Sequence, residues 1–253
     1  VKGLLFATAL LALSSAMAAD GYETELSTSG VETLRVEWAN GDVELVSDDS
    51  PGVRITASRG TSGWLDYAEF AVEGKIAQAV FDTRGRAGNI YADLTVRFPR
   101  GLGVEITAGN GDVTVNGGSA ADIEAGNGDV SVSGVAGRTV IDAGNGNVEL
   151  QVPKNFSSSV DLDAGNGNVE AEIESGFSGK VAISDGNGNV EVTFASVPSG
   201  LGIEASSGMG SVSTDLPGAK AVTTMMGGSI TRSGDACSLK VSAGMGDIAI
   251  LAD

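Results

Sequence analysis

From Val104 onward, apolar and polar residues alternate with a period of two. Val104, Ile106 and Ala108 are spaced by Glu105 and Thr107; Ala121, Ile123 and Ala125 by Asp122 and Glu124; Val160, Leu162 and Ala164 by Asp161 and Asp163. Val181/Ile183, Ile203/Ala205 and Leu239/Val241/Ala243 continue the set. One dry face and one wet face at this period predict half-buried β-strands. A second apolar alternation follows each of these: Val113/Val115, Val130/Val132, Val148/Leu150/Val152, Val190/Val192/Phe194 and Ile248/Ile250.

Between the two alternations stands a fixed phrase, Gly-Asn-Gly-Asp/Asn-Val, which occurs five times between Gly109 and Val190. Glycine removes the Cβ clash at positive φ and Asn tolerates that region, so the phrase predicts a sharp corner. Each repeat then reads strand, corner, strand, variable loop. The closing Val or Ile falls at Val113, Val130, Val148, Val169, Val190, Val212, Ile230 and Ile248, in steps of 17, 18, 21, 21, 22, 18 and 18 residues. Steps that vary this way place insertions in one loop while the strands keep their pairing.

Two all-β architectures fit. In a parallel β-solenoid, or β-helix, each repeat is one coil, and Asn110, Asn127, Asn145, Asn166 and Asn187 stack as an amide ladder about 4.8 Å apart. In an antiparallel meander each Asn-Gly is a hairpin turn. Recurrent Ala before the corner and Val after it favour the solenoid, since like residues pack along its axis. After the fifth phrase the Asn position becomes Met209, Gly227 and Met245, which reads as core filling at a drier corner.

An outlying copy, Ala39-Asn40-Gly41-Asp42-Val43, follows Leu34, Val36 and Trp38. Between it and Gly109 lie Val53–Ala57, a Trp64–Phe81 segment broken at Glu73-Gly74-Lys75, and Ala92–Phe98. We read residues 19–103 as an irregular β region that caps, and is continuous with, regular repeats over 104–253. The chain stops shortly after Ile250, which predicts an open last strand. Asp247 and Asp253 would guard it, and end-to-end self-association would be open to it.

Lys2, an apolar run from Leu4 to Leu13, and Ala16-Met17-Ala18 make residues 1–18 a signal peptide, cleaved after Ala18. The run is too short for a membrane span. An exported product follows, periplasmic or at the cell surface. Its net charge moves from −18 to −19 on loss of Lys2, which disfavours nucleic acid and anionic membranes as partners. With no His in the chain, Ser-His-Asp and Cys-His catalysis and His-ligated zinc are excluded. Cys237 is alone and reads as a buried apolar side chain.

The run Leu94-Thr-Val-Arg-Phe-Pro-Arg-Gly-Leu-Gly-Val-Glu-Ile-Thr-Ala-Gly-Asn-Gly-Asp-Val113 and the repeats after it resemble the bacterial "putative adhesin" β-strand-repeat family of unknown function, relatives of which include heads of autotransporter adhesins. The resemblance covers about residues 31–253. It implies a right-handed β-solenoid of the cell envelope and carries no catalytic residues.

Asp112, Asp129 and Asp247 share a corner position with Asn147, Asn168 and Asn189, and are the candidate ligands for Ca²⁺. One acidic side chain per turn makes a weak hard-cation site, and capping by Asx side chains is the plainer reading. Glu149, Glu170 and Glu191 predict a solvated acidic stripe. Arg138, Lys154, Lys180, Lys220, Arg232 and Lys240 are scattered among the loops, whereas a lyase needs clustered cations and a hydrolase two carboxylates across a cleft. The expectation is a non-catalytic protein without cofactor that associates with an envelope component, glycan or protein. A carbohydrate-active β-helix enzyme and an accessory envelope-stress sensor are the alternatives.

Overall fold

A computed structural model describes residues 16–18, 21–83, 90–224 and 226–253. The expected signal peptide lies outside the described residues, apart from a short strand, Ala16–Ala18, paired antiparallel with Gly21–Glu23. The protein is all-β, with a 3₁₀ turn at Trp64–Tyr67. Its strands form two mixed sheets, each of twelve strands among the described residues.

The chain changes sheet at every corner. Strands that precede a corner, such as Gly103–Asn110, Ala120–Asn127, Thr139–Asn145, Ser159–Asn166 and Lys180–Asn187, lie side by side in one sheet, the upstream sheet. Strands that follow it, such as Val113–Asn116, Val130–Ser133, Val148–Val152, Val169–Ile173 and Val190–Phe194, lie side by side in the other. A hairpin at Asn-Gly would pair the two strands that flank it. Instead each strand pairs in parallel with its counterpart in the neighbouring repeat, like over like. Ile106, Ile123, Ile141, Leu162, Ile183 and Val241 form one row, and Ala108, Ala125, Ala143, Ala164, Asp185 and Ala243 another. The inward rows of both sheets meet in one continuous apolar core.

The corners themselves are stacked by backbone hydrogen bonds: Gly128 N–H donates to Asn145 O and Val130 N–H to Asn147 O, each at 2.9 Å. This contact explains the glycines. Gly128 sits at φ +133°, and a Cβ there would lie 2.2 Å from Gly111 O. No side chain fits between corners one strand spacing apart.

The order of strands departs from the order of the sequence at both ends. The pair Thr33–Asn40 and Val43–Asp48 is inserted between Gly103–Asn110/Val113–Asn116 on one side and Ile76–Phe81/Asp93–Pro99 on the other. The sheets therefore run straight across residue 103. Likewise Cys237–Met245 and Ile248–Ala252 are inserted between Lys180–Asn187/Val190–Phe194 and Leu201–Met209/Val212–Thr214. The expected open last strand is thus paired on both sides, and Asp247 does not guard an edge. The edges at this end are Val212–Thr214 and Lys220–Thr223. The Ile230 repeat is also corrected: Gly228–Arg232 runs antiparallel to Leu201–Met209, with Ile230 opposite Ala205.

Antiparallel strands close both ends of the upstream sheet and one end of the other, in which Val212–Thr214 is a parallel-paired edge. Ala68–Glu73 and Ile76–Phe81 form a hairpin about Gly74-Lys75, and Gly21–Ser27 and Gly52–Ser58 continue the second sheet beyond Asp93–Pro99. Trp38, Trp64 and Phe81 pack there with centroids 4.9–6.3 Å apart. Trp38 is buried, and its indole N–H donates to Ala92 O at 2.6 Å. On the loop side Phe156, Phe177 and Phe194 succeed one another at 6.4 Å. Cys237 is buried.

Candidate functional site

The corner edge concentrates the protein's repeated polar chemistry in two parallel columns. In the first, the middle residue of each phrase stands over its counterpart. Asn110 Nδ2 donates to Asn40 Oδ1 at 2.9 Å, Asn127 to Asn110 at 3.1 Å, Asn145 to Asn127 at 3.0 Å, Asn166 to Asn145 at 3.0 Å and Asn187 to Asn166 at 2.9 Å. Each amide from Asn110 to Asn166 gives one hydrogen bond and takes one along the column, a role that needs both the N–H₂ and the C=O of Asn. A carboxylate offers only the second.

In the second column the side chain accepts from the backbone of the next rung. Asp112 N–H donates to Asp42 Oδ1 at 3.0 Å, Asp129 N–H to Asp112 at 2.9 Å and Asn147 N–H to Asp129 at 2.7 Å. The series continues from Asn168 to Asn147, Asn189 to Asn168, Asp247 to Asn189 and Ser211 to Asp247, at 2.7–3.0 Å. Here only an acceptor is required, so Asp and Asn interchange. The Asx side chains bind across rungs rather than within their own turn.

The three aspartates named as Ca²⁺ candidates are all in this column, each with Oδ1 engaged by a backbone amide. Asp112 and Asp129 are neighbours, but the rungs of Asn147, Asn168 and Asn189 separate them from Asp247. The Ser211 amide and hydroxyl hold the Asp247 carboxyl below the ordinary carboxylate range. Beside the column a shallow groove of about 400 Å³ runs over Thr114, Ser131, Glu149 and Glu170. Its floor is the outward row of the downstream sheet, in which Glu149, Glu170 and Glu191 are direct neighbours. The side chains repeat up the groove rather than converge on a point. Among the described residues, no group of three or more His, Cys, Asp or Glu is placed to hold a metal ion.

Sequence reading missed Asp185. It occupies the inward alanine row, is 4 % exposed, and neither carboxyl oxygen makes a hydrogen bond. Burial pushes its pKa up to about 6. The signal was present: 185 is the next position in the Val181/Ile183 alternation, where the coils at Ala108, Ala125, Ala143, Ala164 and Ala243 carry Ala. Met209 and Met245 also correct an expectation. They continue the Asn column as direct neighbours, but at 57 % and 49 % exposed they do not fill the core.

Among the described residues, no helix is long and apolar enough to cross a membrane. No family model matches the chain, and no curated protein matches it. Solved structures do. A "putative cell adhesion protein" from Clostridium sporogenes aligns at TM-score 0.40 and 14% identity, covering 92% of this chain and 100% of its own. A "putative adhesin" from Bacteroides fragilis aligns at 0.44 and 8%, covering 92% and 98%. A "putative lipid binding protein" from Parabacteroides distasonis aligns at 0.40 and 14%, covering 93% and 97%. The chain is thus similar in structure to bacterial proteins described as adhesins or as lipid-binding.

Proposed function

We propose that this chain is an exported, non-catalytic parallel β-solenoid whose long outer faces dock a component of the cell envelope, in the periplasm or at the cell surface. The observation that carries this reading is the use to which the polar residues are put. The Asn and Asp side chains of the corners hydrogen-bond to the rung above or below, and the outward acids repeat in rows along a shallow groove. Catalysis needs unlike groups converging on one reacting atom. Repetition of like groups suits binding to an extended or repetitive partner. The alternation between sheets at each corner, with the Gly-Asn-Gly repeats in parallel register, supports the solenoid.

The test is co-sedimentation of the mature protein with native envelope fractions, run beside binding to a polysaccharide panel with reducing ends assayed. Saturable retention with no release of reducing ends is the expected result. Release of sugar would replace this reading by a carbohydrate-active enzyme, and a protein that stays wholly in the supernatant would end the docking proposal.

A further inference from the structure

We infer that the end of the stack near Lys220–Thr223 carries a thioether site for a soft monovalent cation, Cu(I) in a biological setting, formed by Met245, Met209 and Met226. Of the five methionines in the chain, four fall between residues 209 and 245. The fold sets two of these on adjacent rungs and places Met226 in the turn between Lys220–Thr223 and Gly228–Arg232, the second of which pairs with the strand of Met209. Parallel pairing puts Met209 directly beside Met245. Antiparallel pairing of Leu201–Met209 with Gly228–Arg232 ends at Ser207 opposite Gly228. Beyond that pair Gly227 and Met226 lead into the turn on the side of Ser207 from which Gly208 and Met209 continue. The backbones approach closely there: a Cβ on Gly227 would lie 2.3 Å from Ser207 O and 2.7 Å from Gly208 O.

All three side chains face water, at 49 %, 57 % and 77 % exposed. Rungs about 4.8 Å apart let flexible thioethers converge on one ion without backbone movement. Thioether sulfur is neutral and soft; it has no proton to lose, and it selects Cu(I) over hard or borderline divalent ions. The site begins where the Asn column stops, and the hard amide oxygen of Asn187, on the rung beside Met245, is a poor competitor for a soft ion. The protein's strong negative charge draws cations toward it. Cys237, the other soft ligand, is on the same strand as Met245 but eight residues away, about 26 Å at strand rise. It is also buried, which pushes its thiol pKa up. The thiol is therefore no part of the site. This inference is independent of the docking role proposed above.

The experiment is anaerobic titration of the full chain with Cu(I) in competition with the colorimetric chelator bicinchoninate. Ag(I) serves as a redox-inert analogue, and methionine methyl resonances are followed by NMR. Expected are stoichiometric withdrawal of Cu(I) from the chelator, shifts of the Met209, Met226 and Met245 methyls, and unchanged binding in Cys237→Ser. The triple variant Met209→Leu/Met226→Leu/Met245→Leu keeps the apolar volume and should lose the uptake at an unchanged thermal midpoint. Should it misfold, Met226→Leu alone, at the most exposed position, should weaken uptake. Wild-type protein that leaves the chelator loaded, a folded triple variant that binds as wild type, or equal response of the same methyls to Zn²⁺ would overturn the inference. So would methyl shifts that depend on protein concentration and not on metal, which would mark a self-association face instead.

Discussion

Asp185 is a single residue at odds with its row. A buried carboxyl without a partner costs about 1–3 kcal/mol relative to an apolar residue of the right size. Its proton affinity sets the pH at which the cost appears. The folded-state pKa is raised, so below about pH 4 both states are protonated and nothing is lost; as pH rises toward 6 the unfolded chain ionises first and stability falls. Asp185→Ala, which restores the row, should therefore stabilise the protein by about 1–3 kcal/mol at pH 7.5 and by little at pH 4. Urea unfolding at the two pH values checks this; an equal gain at both would remove ionisation from the account. The two corner columns make an equally local contrast. Asn166→Asp loses the donor to Asn145 Oδ1 and should cost about 0.5–1.5 kcal/mol, whereas Asn168→Asp keeps the acceptor that Asn189 N–H uses and should be close to neutral. Unfolding midpoints of the two variants, measured side by side, decide whether the columns differ as described. The repeating Asn and Asx positions were plain in the sequence. Their division of labour was not, because it depends on which atoms the next rung presents.

At the scale of elements, the corner decides how closely rungs approach. Gly128 faces the backbone of the corner beside it, so Gly128→Ala combines a strained φ with a clash that no rotamer relieves, and a loss of about 3 kcal/mol or more is expected. Gly74, in the hairpin turn, also has positive φ (61°), but a Cβ there meets nothing within 4 Å. Gly74→Ala should cost only about 1 kcal/mol. Thermal denaturation of the two variants separates conformational freedom from close stacking; similar losses would show that the corners are not tightly packed. Strand identity was readable from the period-two pattern over Val104–Val152, because one wet face and one dry face leave a strand a single way to lie. It was not readable at Gly228–Arg232, where a repeat-like spacing disguises an antiparallel strand.

Over the whole molecule, the main finding is that both ends are threaded out of sequence order. Cys237–Met245 supplies the rung between Lys180–Asn187 and Leu201–Met209. Deletion of residues 235–253 should therefore remove an interior rung rather than trim an end. Amide hydrogen exchange should then show loss of protection across 201–232, although that segment is intact, while strands between 104 and 152 keep theirs. Unchanged protection at 201–214 would contradict the threading. An interior rung supplied from a distant part of the chain also adds long-range contacts, which slows folding. The antiparallel strands cover parallel edges that would otherwise recruit another chain at both ends of the upstream sheet and at one end of the other, leaving Val212–Thr214 as a short parallel-paired edge.

Local rules were enough for the regular strands and the corners, since each follows from sterics and hydrogen-bonding capacity within one repeat: alternation makes the strand and Gly-Asn-Gly makes the corner. Rung order and the setting of Asp185 and the three methionines were decided only by the tertiary structure. Repeats with interchangeable faces pair equally well with several neighbours. Which neighbour is chosen depends on how loops and antiparallel end strands close the stack, and no alternation along the chain encodes that choice.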